Sequence, residues 1–157
     1  QIDNSTTTGE ALSKLSLIGA DMIIETLTAL AENNINPFKQ DSEKATYAPK
    51  IGVEDCKINW LKTADSIHNQ IRAFSPKPGA FTFYDDKRVK LFGSKVLRNI
   101  ENASLVPGKI EYADSIFKIG TATEAIQITN IQIEGKKVLP VDQFILGFPG
   151  IIGGYFD

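Results

Sequence analysis

Few side chains in this 157-residue chain have a type and a spacing that could do chemistry. The single histidine, His68, has no cysteine or carboxylate at ligand spacing, so it reads as a surface or hydrogen-bonded imidazole and no metal site is expected. The single cysteine, Cys56, has no neighbour that argues for a nucleophile and reads as a small, partly buried thiol. Carboxylates are plentiful, but no pair has a spacing that argues for acid–base work. No phosphate loop, paired-cysteine motif or Ser/His/Asp constellation emerges. What remains is cations. Arg88 and Lys90 alternate with Val89 and Leu91, which puts both on one face of a strand. Arg72 stands one helical turn after His68, as a partner for a carboxylate or a loop carbonyl, or as a phosphate contact.

Composition limits what those cations can do. Lys and Arg total 17 against 19 Asp and Glu, a net charge of −2, which is not the bulk signature of a nucleic-acid binder. Residues 1–79 carry 8 basic against 10 acidic side chains, and residues 80–157 carry 9 against 9. A polyanion partner would have to be met by a local face rather than by overall attraction. Hydrophobic residues make up 42% and charged residues 23%, enough for a packed core and too little charge for a disordered chain. No apolar run approaches the ~20 residues of a membrane span, and no membrane partner is expected. One cysteine excludes an internal disulfide and suggests a reducing compartment. The chain opens without a methionine in a loop-like stretch and is expected to be a fragment of a longer protein.

The elements that position the cations follow from periodicity. Thr7 and Glu10 have capping-box spacing at the head of a long helix, Thr8–Asn33. Leu12, Leu15, Ile18, Met22, Ile23, Leu27 and Leu30 recur every three or four residues along it. So wide an apolar face needs a sheet to cover, and none precedes it, so a missing N-terminal neighbour is expected. Residues 35–56 have no period and read as an extended linker, anchored by Phe38, Tyr47 and Ile51. The stretch Ala45–Phe81 is a hinge between a helical half and a strand-rich half. It holds the extended Ile58-Asn59-Trp60, with Trp60 packed in the core, a helix capped by Thr63 and running to Phe74, and a turn at Pro76, Pro78 and Gly79.

After Gly79 the period becomes two. Phe81 and Phe83, then Val89 and Leu91, read as a hairpin around Asp85-Asp86, apolar face inward and Arg88 and Lys90 outward. Strands follow near Lys109–Tyr112, at Phe117–Thr121, and across Ile126–Ile133. The last of these changes phase near Thr129-Asn130, which predicts a β-bulge. Glu134-Gly135 turns into Lys136–Leu139, and a short helix runs from Pro140 to Gly147. The expected fold is α+β: an N-terminal helix and linker, then a small OB-like β-barrel with short helices. The segment FPGIIGGYFD receives no assignment.

At this point the residues resemble methionyl-tRNA formyltransferase. The resemblance lies in Thr8-Gly-Glu-Ala-Leu, Leu17-Ile-Gly-Ala-Asp-Met, Gln40-Asp, Ala45-Thr-Tyr-Ala-Pro-Lys-Ile, Lys57-Ile-Asn-Trp, Ile71-Arg-Ala-Phe, Pro76-Lys-Pro-Gly-Ala, Pro107-Gly and Ile133-Glu-Gly-Lys-Lys. It implies an enzyme that moves a formyl group from 10-formyltetrahydrofolate to the amino group of methionyl initiator tRNA. Residues 1–34 would be the last helix of the catalytic domain, 35–56 a linker, 57–147 the OB-like C-terminal domain, and 148–157 a tail. The family's catalytic Asn, His and Asp lie upstream, His68 does not match the catalytic His, and no catalytic residue is carried over. The isolated chain is therefore expected to be inactive and to bind no folate.

The family's C-terminal domain implies a positively charged guide for the tRNA. Candidate contacts are Arg72, Lys87, Arg88, Lys90, Lys118, Lys136 and Lys137, with Lys95 and Arg98 as extensions; the alternative is that these are ordinary solvated cations. Other implied partners are the N-terminal catalytic domain and no second copy, the full enzyme being expected as a monomer in the bacterial cytoplasm or an organelle matrix. Competing readings are the equivalent segment of formyltetrahydrofolate dehydrogenase or of a sugar-nucleotide formyltransferase, and a free-standing protein-interaction module.

Overall fold

Helical spacing builds the first element of the computed structural model, which describes residues 2–98 and 106–157. Helix α1 spans Thr8–Ala31, with Thr7 as its N-cap. The Thr7 hydroxyl accepts from the Glu10 amide at 3.3 Å, and the Glu10 carboxylate accepts from the Thr7 amide at 2.8 Å, which closes the capping box. The apolar stripe from Leu12 to Leu30 forms as expected, yet its seven residues are each 54–61% exposed and no residue of α1 is buried.

The linker corrects one expectation. Phe38, Tyr47 and Ile51 are 90%, 95% and 53% exposed, so they anchor nothing, because among the described residues no element faces them. The chain is extended apart from 3-10 turns at Ser42–Lys44 and Glu54–Cys56. Among the described residues it is pinned only at its end. The Gly52 amide donates to the Asp55 carboxylate at 2.7 Å, and Cys56 is buried. Burial, with the Asp55 charge beside it, pushes the Cys56 thiol up from its ordinary value, which fits an inert packing role.

The barrel is built from β1 (Phe81–Tyr84), β2 (Lys87–Leu97), β3 (Ile110–Ala113), β4 (Ile116–Gly120), β5 (Ala125–Ile133) and β6 (Leu139–Pro140). The order is β1-β2-β5-β4-β3, all antiparallel, with β6 paired to β5. Helix α2 (Ala64–Ala73) packs Ile67 and Ile71 onto the sheet, and α3 (Val141–Gly147) adds Val141 and Phe144. Trp60 is buried: its indole N–H donates to the Thr82 hydroxyl at 3.0 Å, and its ring stacks on Phe156 at 5.7 Å.

Residues 148–157 gain an assignment. Tyr155 bridges to Lys109, the Ile110 amide donates to Gly154 O at 3.0 Å, and the Asp157 amide donates to Phe83 O at 3.1 Å. This segment joins β3 to β1 and curls the sheet into an OB-like barrel.

Two local expectations change. The register pairs Phe81 with Lys90 and Phe83 with Arg88, and directly opposed residues share a face. Phe81 and Phe83 therefore lie on the face that carries the cations, where Phe81 is nonetheless buried at 4% exposure and Phe83 half-buried, while Thr82 and Tyr84 face the barrel interior. Thr82 is needed inside, where it accepts from Trp60 and donates to Asp157 O at 2.8 Å. The outer rings are covered by cations instead: the Arg88 guanidinium sits 4.7 Å above Phe81 and Lys57 Nζ 5.4 Å above Phe83.

The phase change in β5 is real, since Ile126, Ile128, Ile131 and Ile133 are all buried, but there is no bulge. Phe92↔Asn130 and Ser94↔Ile128 keep one register. Both strands turn together at Gly93, whose φ is +61 and whose missing Cβ would fall 2.1 Å from Thr129 Oγ1.

Candidate nucleic-acid interface

The register of β2 on β5 brings two turns together. Val89 pairs with Ile133, and the Glu134 amide donates to Arg88 O at 2.9 Å. The β1–β2 turn thus lies beside the β5–β6 turn, which gathers Lys87, Arg88, Lys90, Lys136 and Lys137 at one end of the sheet. Lys87, Lys136 and Lys137 are exposed. Arg88 is held against Phe81, and its Nε is buried without a hydrogen-bond partner among the described residues. Lys90 Nζ donates to Pro78 O at 2.8 Å. Arg88, Lys90, Gln132, Glu134 and Gly135 line a small hollow of about 160 Å³. Asp85, Asp86 and Glu134 interleave with these cations, so the positive field is local.

Lys118 and Arg72 lie elsewhere. Lys118 belongs to a row running Lys95, Gln127, Lys118, Glu111 across β2, β5, β4 and β3. Its ammonium is 3.1 Å from the Glu111 carboxylate and largely compensated. Arg98 pairs with Asp65 at 2.6 Å and Glu124 at 3.7 Å. Arg72 donates to Asn69 Oδ1 at 2.9 Å, Thr6 O at 3.2 Å and Asp3 O at 3.3 Å, which is the loop-carbonyl role of the two readings.

Arg72 is one stitch in a larger clamp. Asp3 Oδ1 accepts from the amides of Ser5 and Thr6 at 2.8 and 2.7 Å and from both hydroxyls. The Thr6 hydroxyl foremost, then Ser5, holds the Asp3 carboxyl far below the usual carboxylate range. The knotted segment then docks on α2. The Thr8 hydroxyl donates to Ala73 O at 2.5 Å and the Gly9 amide to Ser75 O at 3.0 Å. His68 Nε2 lies 2.7 Å from Asn4 O, and Nδ1 lies 2.8 Å from Ser94 Oγ. A carbonyl can only accept, so Nε2 carries the proton and, in a neutral ring, Nδ1 accepts from the serine hydroxyl. The Asp-x-Ser-Thr spacing was the available sequence signal for this knot. The contact to α2 had none.

A long exposed helix, an extended linker and an OB-like barrel with a cationic corner define the class of α+β chain to which this one belongs. The family described as "Formyl transferase, C-terminal domain" matches residues 50–149, and the chain belongs to that family. It is 38% identical to the methionyl-tRNA formyltransferase of Carboxydothermus hydrogenoformans over 99% of this chain and 50% of that protein. It is 40% identical to that of Thermodesulfovibrio yellowstonii over 92% of this chain and 44% of that protein. The chain thus spans about half the length of the curated relatives it matches. Among solved structures, HypX from Aquifex aeolicus superposes with a TM-score of 0.75 at 19% identity, covering 96% of this chain and 28% of that one. WlaRD, a sugar 3N-formyl transferase, gives 0.54 at 21% identity over 87% and 47%. These two support the fold alone.

Proposed function

We propose that this chain is the tRNA-docking half of a methionyl-tRNA formyltransferase, which uses 10-formyltetrahydrofolate to formylate methionyl initiator tRNA at the start of translation. The observation that carries the reading is similarity that runs through α1, linker and barrel alike yet covers only half of the relatives. Formyl transfer and folate binding then reside in an N-terminal half, which covers the apolar stripe of α1. Lys87, Arg88, Lys90, Lys136 and Lys137 meet tRNA phosphates, and counterion release makes that binding steeply salt-dependent. The full enzyme works as a monomer in the bacterial cytoplasm.

The test is tRNA binding by the 157-residue chain across a salt series. Each phosphate contact contributes a slope of about −0.9 in log K against log salt. Reversing Lys87, Lys136 and Lys137 to Glu is expected to flatten the slope by roughly two to three units. An unchanged slope sinks the docking face. Measurable formyl transfer by the chain alone sinks the division of labour.

A further inference from the structure

A groove of about 1070 Å³ runs between the first turns of α1, the Ser75–Gly79 turn and the outer face of β2 and β5. Its floor is apolar, formed by Phe92 with Pro76 and Pro78. Lys14, Lys77 and Lys90 stand around it. Among the described residues the one carboxylate on the rim, Glu10, is already taken by the Thr7 amide and hydroxyl, both at 2.8 Å. Two amide side chains project from β5: Asn130 Oδ1 accepts from the Thr129 hydroxyl at 2.8 Å and Gln132 Nε2 donates to Lys136 O at 2.8 Å, which leaves the Asn130 NH2 and the Gln132 Oε1 toward the groove.

Glycine at 79 is part of the design. Its φ is +90, and a Cβ there would meet Lys90 Cδ at 3.0 Å and the Phe92 ring at 3.3 Å. Without that Cβ, an aromatic ring and a lysine stem pack side by side under the turn. Lys90 and Gln132 also line the hollow that holds Arg88, so the groove opens directly into the cationic corner.

An occupant of this groove needs a flat apolar part for the floor and anions for the rim, with further anions continuing toward Arg88. An amphipathic helix of another protein can bring both apolar side chains and carboxylates, but its rounded face does not lie flat on an aromatic ring. A free nucleotide has both but does not use the continuation. We infer that the groove takes an unpaired nucleotide of a single-stranded RNA segment. The base rests on Phe92 and the proline rings, and the phosphates run over Lys90 toward Arg88. Base–aromatic stacking tolerates any sequence, while the Asn130 NH2 and the Gln132 Oε1, the amide atoms not engaged by Thr129 and Lys136, offer one donor group and one acceptor for a base edge. The inference rests on the RNA-docking reading and extends it from paired phosphates to an unstacked base.

Two probes test it: a short fluorescein-labelled single-stranded RNA and a blunt RNA duplex, each titrated into the chain by anisotropy at low salt. Phe92→Leu is expected to weaken single-strand binding about tenfold and leave the duplex unchanged. If Phe92→Leu fails to fold by circular dichroism, Lys77→Glu takes its place, since Lys77 is exposed. It is expected to weaken the single strand severalfold. Amide shifts in the wild-type chain should centre on Gly79, Phe92 and Asn130. Single-strand affinity unmoved by the variant used, or shifts centred elsewhere, overturns the inference. The two readings fail separately. Loss of tRNA binding on reversing Lys87, Lys136 and Lys137, with single-strand binding indifferent to Phe92, leaves the docking face and removes the groove. The opposite pair of results removes the face and keeps the groove, and no binding of any RNA removes both.

Discussion

Phe156→Ala tests whether residues 153–157 close the barrel or merely lie on it. Phe156 is 4% exposed, stacked on Trp60 at 5.7 Å and set edge-on to Tyr84 at 6.1 Å. Transfer of a buried Phe side chain contributes roughly 1.5–3 kcal/mol, and the lost aromatic contacts and the cavity left behind raise a Phe→Ala truncation to about 3–5 kcal/mol. A small domain has a total stability of only about 5–15 kcal/mol, so the variant should be marginal. Urea unfolding followed by fluorescence reads the site directly, because Trp60 is the only tryptophan. Tyr155→Ala is the control one residue away. Tyr155 is 51% exposed, and among the described residues its ring makes one aromatic or cation contact, with the Lys109 ammonium at 4.4 Å, so its loss should stay below about 1 kcal/mol. Equal losses at 155 and 156, or a Phe156→Ala loss under about 1 kcal/mol, would refute closure by this segment.

Further predictions concern the cap, the kink and the clamp. Thr7→Ala removes the N-cap of α1 and should cost about 1 kcal/mol of local helix stability, read as faster amide exchange in the first turn. The Glu10 carboxyl is held below its ordinary value, first by the Thr7 amide and then by the Thr7 hydroxyl. Its contribution to the cap is therefore present above the ordinary glutamate pKa and fades as pH falls through the depressed value, which a carboxyl titration by NMR follows. Gly93→Ala forces a side chain into φ +61 and against Thr129, and should cost at least about 2 kcal/mol in urea unfolding. Thr129→Gly in the same chain should recover part of that loss. His68→Ala should speed exchange of the Ser5 and Thr6 amides without changing the urea midpoint of the barrel.

Local rules found most of the elements and missed what depends on partners distant in sequence. The cap at Thr7, the stripe on α1, the helix after Thr63 and the core role of Trp60 all follow from spacing over a few residues. The inward parity of β1 does not, because it is set by a tryptophan 22 positions before Thr82 and a carbonyl 75 positions after it. The apolar residues of the linker looked like anchors because composition cannot say that nothing stands opposite them. The bulge expected at Thr129 came from reading one strand; the phase change belongs equally to Gly93 on its partner. Of the cations, Arg88 and Lys90 were placed together by alternation alone. Their meeting with Lys136 and Lys137 needed the β2–β5 register, and the fixed partners of Arg72 and Lys118 were invisible to spacing.

The clamp holds Ala73 and Ser75, and Gln70 donates to Asp55 O and Lys57 O at 2.8 and 3.0 Å. Both feet of the α1-and-linker excursion thus stand on the same end of α2. The excursion is a closed handle rather than a tether, so its contour length carries no tension between its feet. Lengthening it with glycines should change stability only slightly, since each doubling of a loop costs about 0.6 kcal/mol. A protease cut in the exposed stretch around Lys39–Lys50 should leave two pieces that still travel as one particle.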